Sequence, residues 1–196
     1  MKLQVIVGST RPGRVSHKVA NWVAKEAQNV PDTQVEVVDL MDYQLPFLDE
    51  PISPQYNPNR TPNEAAARWL KKVAEADAYV IVTPEYNRSY SAVLKNALDY
   101  IDFQFAQKPV AFVAHGSTGG AQAVAHLRGV LPGLLAVTVP KATFLVGRAG
   151  DILTEHDDLI DAMKADTSGP QGMLKVMLAD TKWYSDALAT ARSGQK

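Results

Sequence analysis

The chain of 196 residues contains no cysteine, and this absence removes several kinds of chemistry. Disulfides, thiolate metal sites, cysteine nucleophiles and thiol redox reactions are all excluded. If the protein carries out redox chemistry, a bound cofactor must therefore carry the electrons.

The sequence also lacks a charge bias and a long apolar run. Its 20 basic and 21 acidic residues leave a net charge of −1 at pH 7, which argues against capture of nucleic acid by a basic face. No apolar stretch approaches the roughly 20 residues of a membrane-spanning helix, and the first ten residues lack the pattern of a signal peptide. We therefore expect a cytoplasmic protein that binds neither nucleic acid nor membrane.

Strand and helix patterns alternate along the chain, which is typical of a parallel α/β sheet. Strands are predicted at residues 3–7, 35–39, 79–82, 109–114 and 135–146, the last interrupted near Pro140, and helices near 15–27, 63–75, 91–103, 120–131 and 170–191. The proline-rich segment 41–62 is predicted to be an irregular loop. No linker divides the chain, so we expect residues 1–196 to form one domain. Its fold is expected to be a flavodoxin-like three-layer α/β/α sandwich with a five-stranded parallel sheet in the order 2-1-3-4-5.

The loop after the first strand, Gly8–Ser16 (GSTRPGRVS), has the composition of an anion site. Its glycines allow sharp turns, its hydroxyls and arginines suit a phosphate, and the next helix directs its positive end at the loop. It matches only part of the nucleotide P-loop, because Arg14 and Val15 stand where that motif has lysine and a hydroxyl residue. A terminal phosphomonoester therefore fits better than a triphosphate. The alternative is an ordinary glycine turn with N-capping serines.

Two further loops follow the third and fourth strands. Thr83–Pro84 leads into Glu85–Ser89 (EYNRS), which offers an aromatic ring, an amide, charged groups and backbone donors. His115–Gly120 (HGSTGG) has glycines that let backbone approach a ligand closely. Each loop alone could be an ordinary turn, and His115 could be an acid–base group or a simple hydrogen-bonding residue.

The predicted strand order brings all three loops to one edge of the sheet, beside the switch point between the first and third strands. There a phosphate would lie on Gly8–Ser16, and a planar ring would lie between the other two loops. This combination of a phosphate and a planar ring is the shape of FMN.

Residues 8–23, 83–100 and 115–131, each preceded by a strand, resemble the NADPH-dependent FMN reductase family of flavodoxin-like quinone, azo and chromate reductases. The resemblance implies an enzyme that binds FMN, takes hydride from NADPH or NADH and reduces small acceptors, quinones, azo compounds or free flavin among them, in a ping-pong cycle. It implies a homodimer or homotetramer, no metal, and chemistry carried by the flavin N5 rather than by a side chain.

The resemblance also assigns residues to the site. Those implied to bind FMN are Ser9, Thr10, Arg11, Arg14, Val15 and Ser16 on the first loop, Pro84, Glu85, Tyr86 and Asn87 on the second, and His115, Gly116, Ser117, Thr118 and Gly119 on the third. Arg88 and Tyr86 are candidates for contact with the substrate, and Arg88 stands where the family often has glycine or histidine. Ser91 stands where the family often has proline, and we expect this difference to loosen the start of the following helix.

Several interpretations stay open at this point. Tyr43 and Tyr56 could pack on the ring, on a partner subunit or within the molecule. Tyr100, Phe103 and Phe105, together with the loop 41–62, could form a subunit interface, or these aromatics could complete the monomer core. For the whole protein, the alternatives are a non-enzymatic flavodoxin-type electron carrier and a flavin-free regulatory or phosphosugar-binding domain. The nearly neutral charge argues against the carrier, since such carriers typically have strongly acidic surfaces.

Overall fold

The computed structural model describes residues 1–164 and 168–194. Five strands form one sheet in the order β2-β1-β3-β4-β5, and every neighbouring pair is parallel. The strands are β1 Lys2–Val7, β2 Gln34–Asp39, β3 Ala78–Pro84, β4 Pro109–Gly116 and β5 Val137–Val146. The predicted flavodoxin-like topology is therefore confirmed.

Helices cover both faces of this sheet. They are α1 Ser16–Ala27, α2 Glu64–Ala74, α3 Ala92–Asp99, α4 Ala121–Val130, α5 Ala149–Ile152, α6 Asp161–Lys164 and α7 Pro170–Ser193. The apolar faces of α2, α3 and α4 meet one side of the sheet, and those of α1 and α7 meet the other. Among the described residues, no helix is long and apolar enough to cross a membrane.

The central strand β3 is buried along its whole length. Tyr79 and Ile81 point into the core beneath α2, α3 and α4, whereas Val80 and Val82 point toward α1 and α7. A strand covered on both faces needs apolar residues at successive positions. This requirement explains why the sequence of β3 is continuously apolar rather than alternating between apolar and polar residues.

The start of α3 differs from the expectation. Ser91 is the N-cap of this helix, and its hydroxyl accepts a hydrogen bond from Leu94 N at 3.2 Å and donates one to the Gly8 carbonyl. The expectation that Ser91 loosens the helix is therefore wrong, because serine satisfies a free N–H of the first turn. It also ties α3 to the end of β1.

The end of α3 differs as well. The helix predicted over 91–103 ends at Asp99, and the chain then turns so that Tyr100 and Phe105 enter the core. Of the three aromatics proposed for an interface, these two complete the monomer core. Phe103 alone is exposed, at 57% of its surface.

The strand β5 continues past Pro140 with a local irregularity. Val110 pairs with Thr138 and Phe112 with Ala142, so β5 carries extra residues opposite Ala111. Because β5 is an edge strand, a proline there costs no ladder hydrogen bond to a further strand. The predicted interruption is thus a bulge within one strand.

The proline-rich loop 41–62 is anchored by charge and by aromatic packing. The side chain of Arg60 is only 6% exposed and pairs with Glu50 at 2.7 Å and with Asp102 at 3.3 Å. Tyr43 packs edge-on against Trp69, with ring centroids 5.4 Å apart, so it belongs to the core beneath α2. Tyr56 is 79% exposed.

Candidate functional site

A cleft of about 420 Å³ opens at the carboxyl edge of the sheet. Because parallel strands end at the same edge, the loops after β1, β3 and β4 all reach it. The lining residues are Arg11, Gly13, Arg14, Val15, Pro84, Glu85, Tyr86, His115, Gly116, Ser117, Gly147, Arg148 and Asp151. The structure thus brings the three predicted loops to one cavity. Seven of the predicted site residues do not line it: Ser9, Thr10, Ser16, Asn87, Arg88, Thr118 and Gly119.

Gly8 lets the first loop begin directly against β3. Its N–H donates to the Val82 carbonyl at 2.8 Å, and a Cβ at this position would lie 2.8 Å from the same oxygen. Such an approach is closer than any side chain permits. A glycine is therefore needed for the loop Gly8–Ser16 to leave the sheet here.

Ser9 is buried beneath the first loop and joins it to the second. Its hydroxyl lies 3.0 Å from the Tyr86 hydroxyl and accepts a hydrogen bond from Arg11 N at 3.4 Å. The Arg11 guanidinium lies over the Tyr86 ring, 5.8 Å from its centroid. Arg11 and Tyr86 therefore sit side by side on the wall of the cleft.

The two arginines of the first loop have different surroundings. Arg14 donates to the Ser9 carbonyl at 2.8 Å and to the carboxylate of Asp39, so its charge is already paired and it braces the loop. Arg11 has no carboxylate partner among the residues that the structure describes. Arg11 is therefore the guanidinium of this loop that can meet an anion in the cleft. Thr10 lies in a separate pocket beside Leu40 and Val93.

His115 reaches from the end of β4 to the start of α1. Its Nε2 lies 2.9 Å from the Ser16 hydroxyl, and both side chains are buried. Burial lowers the pKa of His115 from 6.5 to about 4, so the imidazole is neutral at neutral pH. A neutral ring has one donor and one acceptor nitrogen.

Glu85 holds the second and third loops together. Its N–H donates to the His115 carbonyl at 3.0 Å, and its carboxylate accepts hydrogen bonds from Gln122 N at 3.0 Å and from Thr118 Oγ1 at 3.2 Å. An acidic group at a helix N-terminus is stabilised by the helix dipole. The Glu85 carboxylate therefore caps α4, and its position between the loops is fixed.

Arg88 lies at the tip of a tight turn. Tyr86 and Ser89 exchange two backbone hydrogen bonds, at 2.8 and 3.0 Å, while Asn87 and Arg88 have φ values of 49° and 67°. These values are those of a type I′ turn. Both side chains are exposed, and neither lines the cleft.

Gly13 of the first loop lines the cleft without having been assigned to the site, and three lining residues outside the predicted loops were missed by the sequence analysis: Gly147, Arg148 and Asp151. They follow β5, and a signal for them existed, since the end of β5 must lie at the same edge as the end of β4. The segment that continues from them is held on α1, where Asn21 donates to Asp157 at 2.8 Å and Lys25 pairs with Asp158 at 3.2 Å.

The arrangement suits a ligand with an anionic end and a flat body. The positive end of α1 and the Arg11 guanidinium favour a phosphate, and Pro84, Tyr86 and the backbone at Gly116 offer flat and close-approaching walls. Gly116 has a φ of 155°, which residues with a side chain rarely adopt, whereas a Cβ there would make only an ordinary contact with the Glu85 Cβ at 3.6 Å. The described residues contain no cluster of His, Cys, Asp or Glu side chains that could hold a metal ion.

Comparison with known proteins identifies the family. A family model described as NADPH-dependent FMN reductase matches residues 1–151. The chain belongs to the NADPH-dependent FMN reductase family. It is therefore an oxidoreductase, with FMN and NAD(P)H as its cofactors, and the alternatives of an electron carrier and of a flavin-free domain are set aside.

Individual relatives agree with this membership. The reductase is 37% identical over 145 residues to an NAD(P)H-dependent FMN reductase of Schizosaccharomyces pombe, covering 72% of each chain. It is 33% identical over 145 residues to an FMN-dependent NADPH-azoreductase of Staphylococcus haemolyticus, covering 71% of this chain and 74% of that one. The structure of the flavoenzyme FerB from Paracoccus denitrificans superposes with a TM-score of 0.72 at 24% identity, covering 93% of this chain and 98% of FerB, which supports the fold.

Proposed function

We propose that this reductase binds FMN in the cleft at the carboxyl edge of the sheet and reduces small acceptors there by a ping-pong mechanism. The acceptors proposed are quinones, azo compounds and free flavin, with NADPH or NADH as the donor. The observation that carries the proposal is that loops from three separate strands line one cleft, with an anion-binding end at Arg11 and α1.

The residues of the cleft have distinct proposed roles. Arg11 and the N-terminal end of α1 would bind the phosphate, with the Ser16 hydroxyl at the first residue of α1 as a further donor and Ser9 as a partner once it exchanges its bond to Tyr86. Pro84 and Tyr86 would flank the ring on one side. The predicted contacts from Thr10, Asn87, Thr118 and Gly119 stay predictions, since these residues do not line the cleft.

The chain itself supplies binding, orientation and access. Bound FMN would supply the redox chemistry, which is hydride transfer from the nicotinamide and electron transfer to the acceptor. The donor and the acceptor would use the same open cleft, so the oxidised nicotinamide must leave before the acceptor enters. His115 is neutral and buried, which fits a site where the protein need not donate a proton.

Steady-state kinetics test the mechanism. Rates are measured with FMN-loaded protein at several NADPH concentrations and several concentrations of p-benzoquinone, and then of an azo dye. Parallel double-reciprocal lines are expected for a ping-pong cycle. Intersecting lines would contradict it, and the absence of any NADPH or NADH oxidation would contradict the proposed function.

A substitution tests the phosphate end of the cleft. Arg11→Ala removes an ionic hydrogen-bond donor, so we expect the Kd for FMN to rise by roughly 10- to 100-fold. The matched control is Arg68→Ala, which replaces an exposed arginine on α2 that pairs with Glu64. Flavin fluorescence titration measures both, and equal Kd values for the two variants would count against the assignment.

We propose that Arg88 and Arg148 differ in their effect on the KM for the nicotinamide donor. Arg148 lines the cleft, whereas Arg88 lies at the tip of the Tyr86–Ser89 turn. The hypothesis that Arg88, a candidate for contact with the substrate, captures the nicotinamide phosphate is tested by Arg88→Ala beside Arg148→Ala, with the KM for NADPH and for NADH as the readout. Unchanged kinetics in Arg88→Ala for both nicotinamides and for the acceptors would remove the hypothesis.

We also propose that the protein forms a homodimer or homotetramer. Tyr56 and Phe103 are exposed and line one groove together with Pro54 and Leu70, and exposed aromatic patches of this kind mark interaction surfaces. Sedimentation equilibrium at micromolar concentration is expected to show an oligomer that Phe103→Asp weakens. A monomer of the wild-type protein would contradict the proposal. The cytoplasmic location stays a prediction.

A further inference from the structure

One hydrogen bond links the third loop of the cleft to the start of α1. His115 lies at the end of β4, between the loops proposed to hold the ring, and Ser16 is the first residue of α1, at the end proposed to hold the phosphate. The Nε2 of His115 is 2.9 Å from the Ser16 hydroxyl. Ser16 is fully buried and His115 is 6% exposed, so water does not compete for this bond.

Within the described part of the chain, Ser16 is the one hydrogen-bond partner of the imidazole. The charged groups around the cleft are Arg11 and Arg14 on the first loop, Glu85 on the second, and Arg148 and Asp151 after β5. None of these groups pairs with His115, and burial keeps the ring neutral. The ring therefore meets Ser16 either as a donor, with the proton on Nε2, or as an acceptor.

The two tautomers have different consequences for Ser16. If Nε2–H donates to the Ser16 oxygen, the hydroxyl keeps its own proton for a further acceptor at the positive end of α1. If Nε2 accepts, that proton is used internally and Ser16 has nothing to donate to an anion. The first arrangement adds a donor to the helix end that already favours a phosphate.

We propose that His115 is a positioning residue for the phosphate of the flavin, which it affects through Ser16 rather than by contact. The inference rests on the proposed function, because it takes FMN as the ligand of the cleft. Through the bond to Ser16, a residue at the ring end of the cleft would control the affinity for the phosphate at the other end.

Comparison of FMN with riboflavin, which lacks the phosphate, separates this role from general damage. Fluorescence titrations of the apoprotein give the Kd for each flavin in the wild type, His115→Leu, Ser16→Ala and the double variant. We expect each single substitution to raise the Kd for FMN about 10-fold, the factor for one hydrogen bond of about 1.4 kcal/mol, and to leave the Kd for riboflavin unchanged. The double variant is expected to bind FMN no more weakly than either single one, because the two residues act through one bond.

A conservative substitution provides the matched control. The side-chain amide of His115→Gln reaches the position of Nε2 and can donate to Ser16, so FMN binding is expected to return to within about threefold of the wild type. Equal losses for FMN and riboflavin in His115→Leu would show ring contact instead and overturn the proposal, as would additive effects in the double variant. A wild-type protein that binds neither flavin would refute the proposed function itself.

A second measurement tests the proposal even if His115→Leu fails to fold. Nitrogen-15 NMR of the imidazoles in the wild-type protein reads the tautomer directly, and the other histidines of the chain, His17, His126 and His156, serve as internal references. A protonated Nε2 on His115 in the FMN complex is expected. An unprotonated Nε2 in that complex would overturn the proposal.

Discussion

His115 makes the stability of the folded protein depend on pH. Its pKa is about 4 in the folded state and about 6.5 in an unfolded chain, so the unfolded state binds more protons between these values. The contribution of His115 to the free energy of unfolding is complete above about pH 6.5 and is lost as the pH falls toward 4. The resulting decrease in the free energy of unfolding approaches about 3 kcal/mol.

Urea unfolding of the wild type and of His115→Gln at pH 7 and pH 5 tests this prediction. The variant has no imidazole to titrate, while other ionisable groups contribute equally to both proteins. We expect the wild type to lose about 2 kcal/mol more of its free energy of unfolding than the variant over this interval. Equal losses in the two proteins would contradict the pKa shift.

Arg88 has a backbone conformation that its side chain does not favour. A φ of 67° is costly for residues with a branched Cβ and costs glycine nothing. We therefore expect Arg88→Val to reduce the free energy of unfolding by about 1–2 kcal/mol, and Arg88→Gly to leave it unchanged or raise it by up to about 1 kcal/mol. Thermal unfolding of both variants measures the difference, and a Val variant as stable as the Gly variant would show that the turn is not strained.

For individual residues, the sequence predicted which loops line the cleft but not which partners their side chains choose. Gly8, Tyr86 and Gly116 stand where loop composition placed them. Arg14 was expected to bind phosphate, yet its guanidinium pairs with Asp39 at the end of β2. Such a pairing depends on how two distant strands align, and local composition carries no information about it.

Among the elements, α3 shows how one residue links a helix to a loop. Ser91→Ala removes the N-cap bond to Leu94 N and leaves the buried Gly8 carbonyl without its donor. We expect a loss of about 1–2 kcal/mol in the free energy of unfolding. Ser91→Thr keeps the hydroxyl and is the control. Urea denaturation that gives the same midpoint for the alanine and threonine variants would contradict the capping role.

The strands and helices were more predictable than their ends. The run Val80–Val82 identified β3, because burial on both faces leaves a clear apolar pattern. Helical periodicity continued past Asp99 through Tyr100 and Ile101, so α3 was predicted to be too long. Those residues are buried after the chain has turned, and periodicity alone does not distinguish a helix from a turn that packs the same side chains inward.

For the whole molecule, the helix α7 completes a face of the sheet although the family model ends at residue 151. Met177 is fully buried against β5, whereas Val176 beside it is 48% exposed. We expect Met177→Ala to cost about 2–5 kcal/mol in the free energy of unfolding and Val176→Ala to change it by less than about 0.5 kcal/mol. Chemical denaturation measures both. Similar small effects in the two variants would show that α7 adds little to the core.

The strand order was predictable because chain length and alternation leave few arrangements for five parallel strands. Parallel pairing also places the first residues after β5 at the edge of the cleft, but the further course of that segment was not predictable, since its polar composition shows no periodicity that would place it on α1.

That segment has a consequence for how the family can diversify. Arg148 and Asp151 border the cleft from outside the three loops proposed to bind FMN, on a stretch anchored separately through Asp157 and Asp158 to α1. Under the proposed function, substitutions there are expected to alter acceptor range while the loops proposed to bind FMN keep their sequence, so that acceptor range and flavin retention are selected independently.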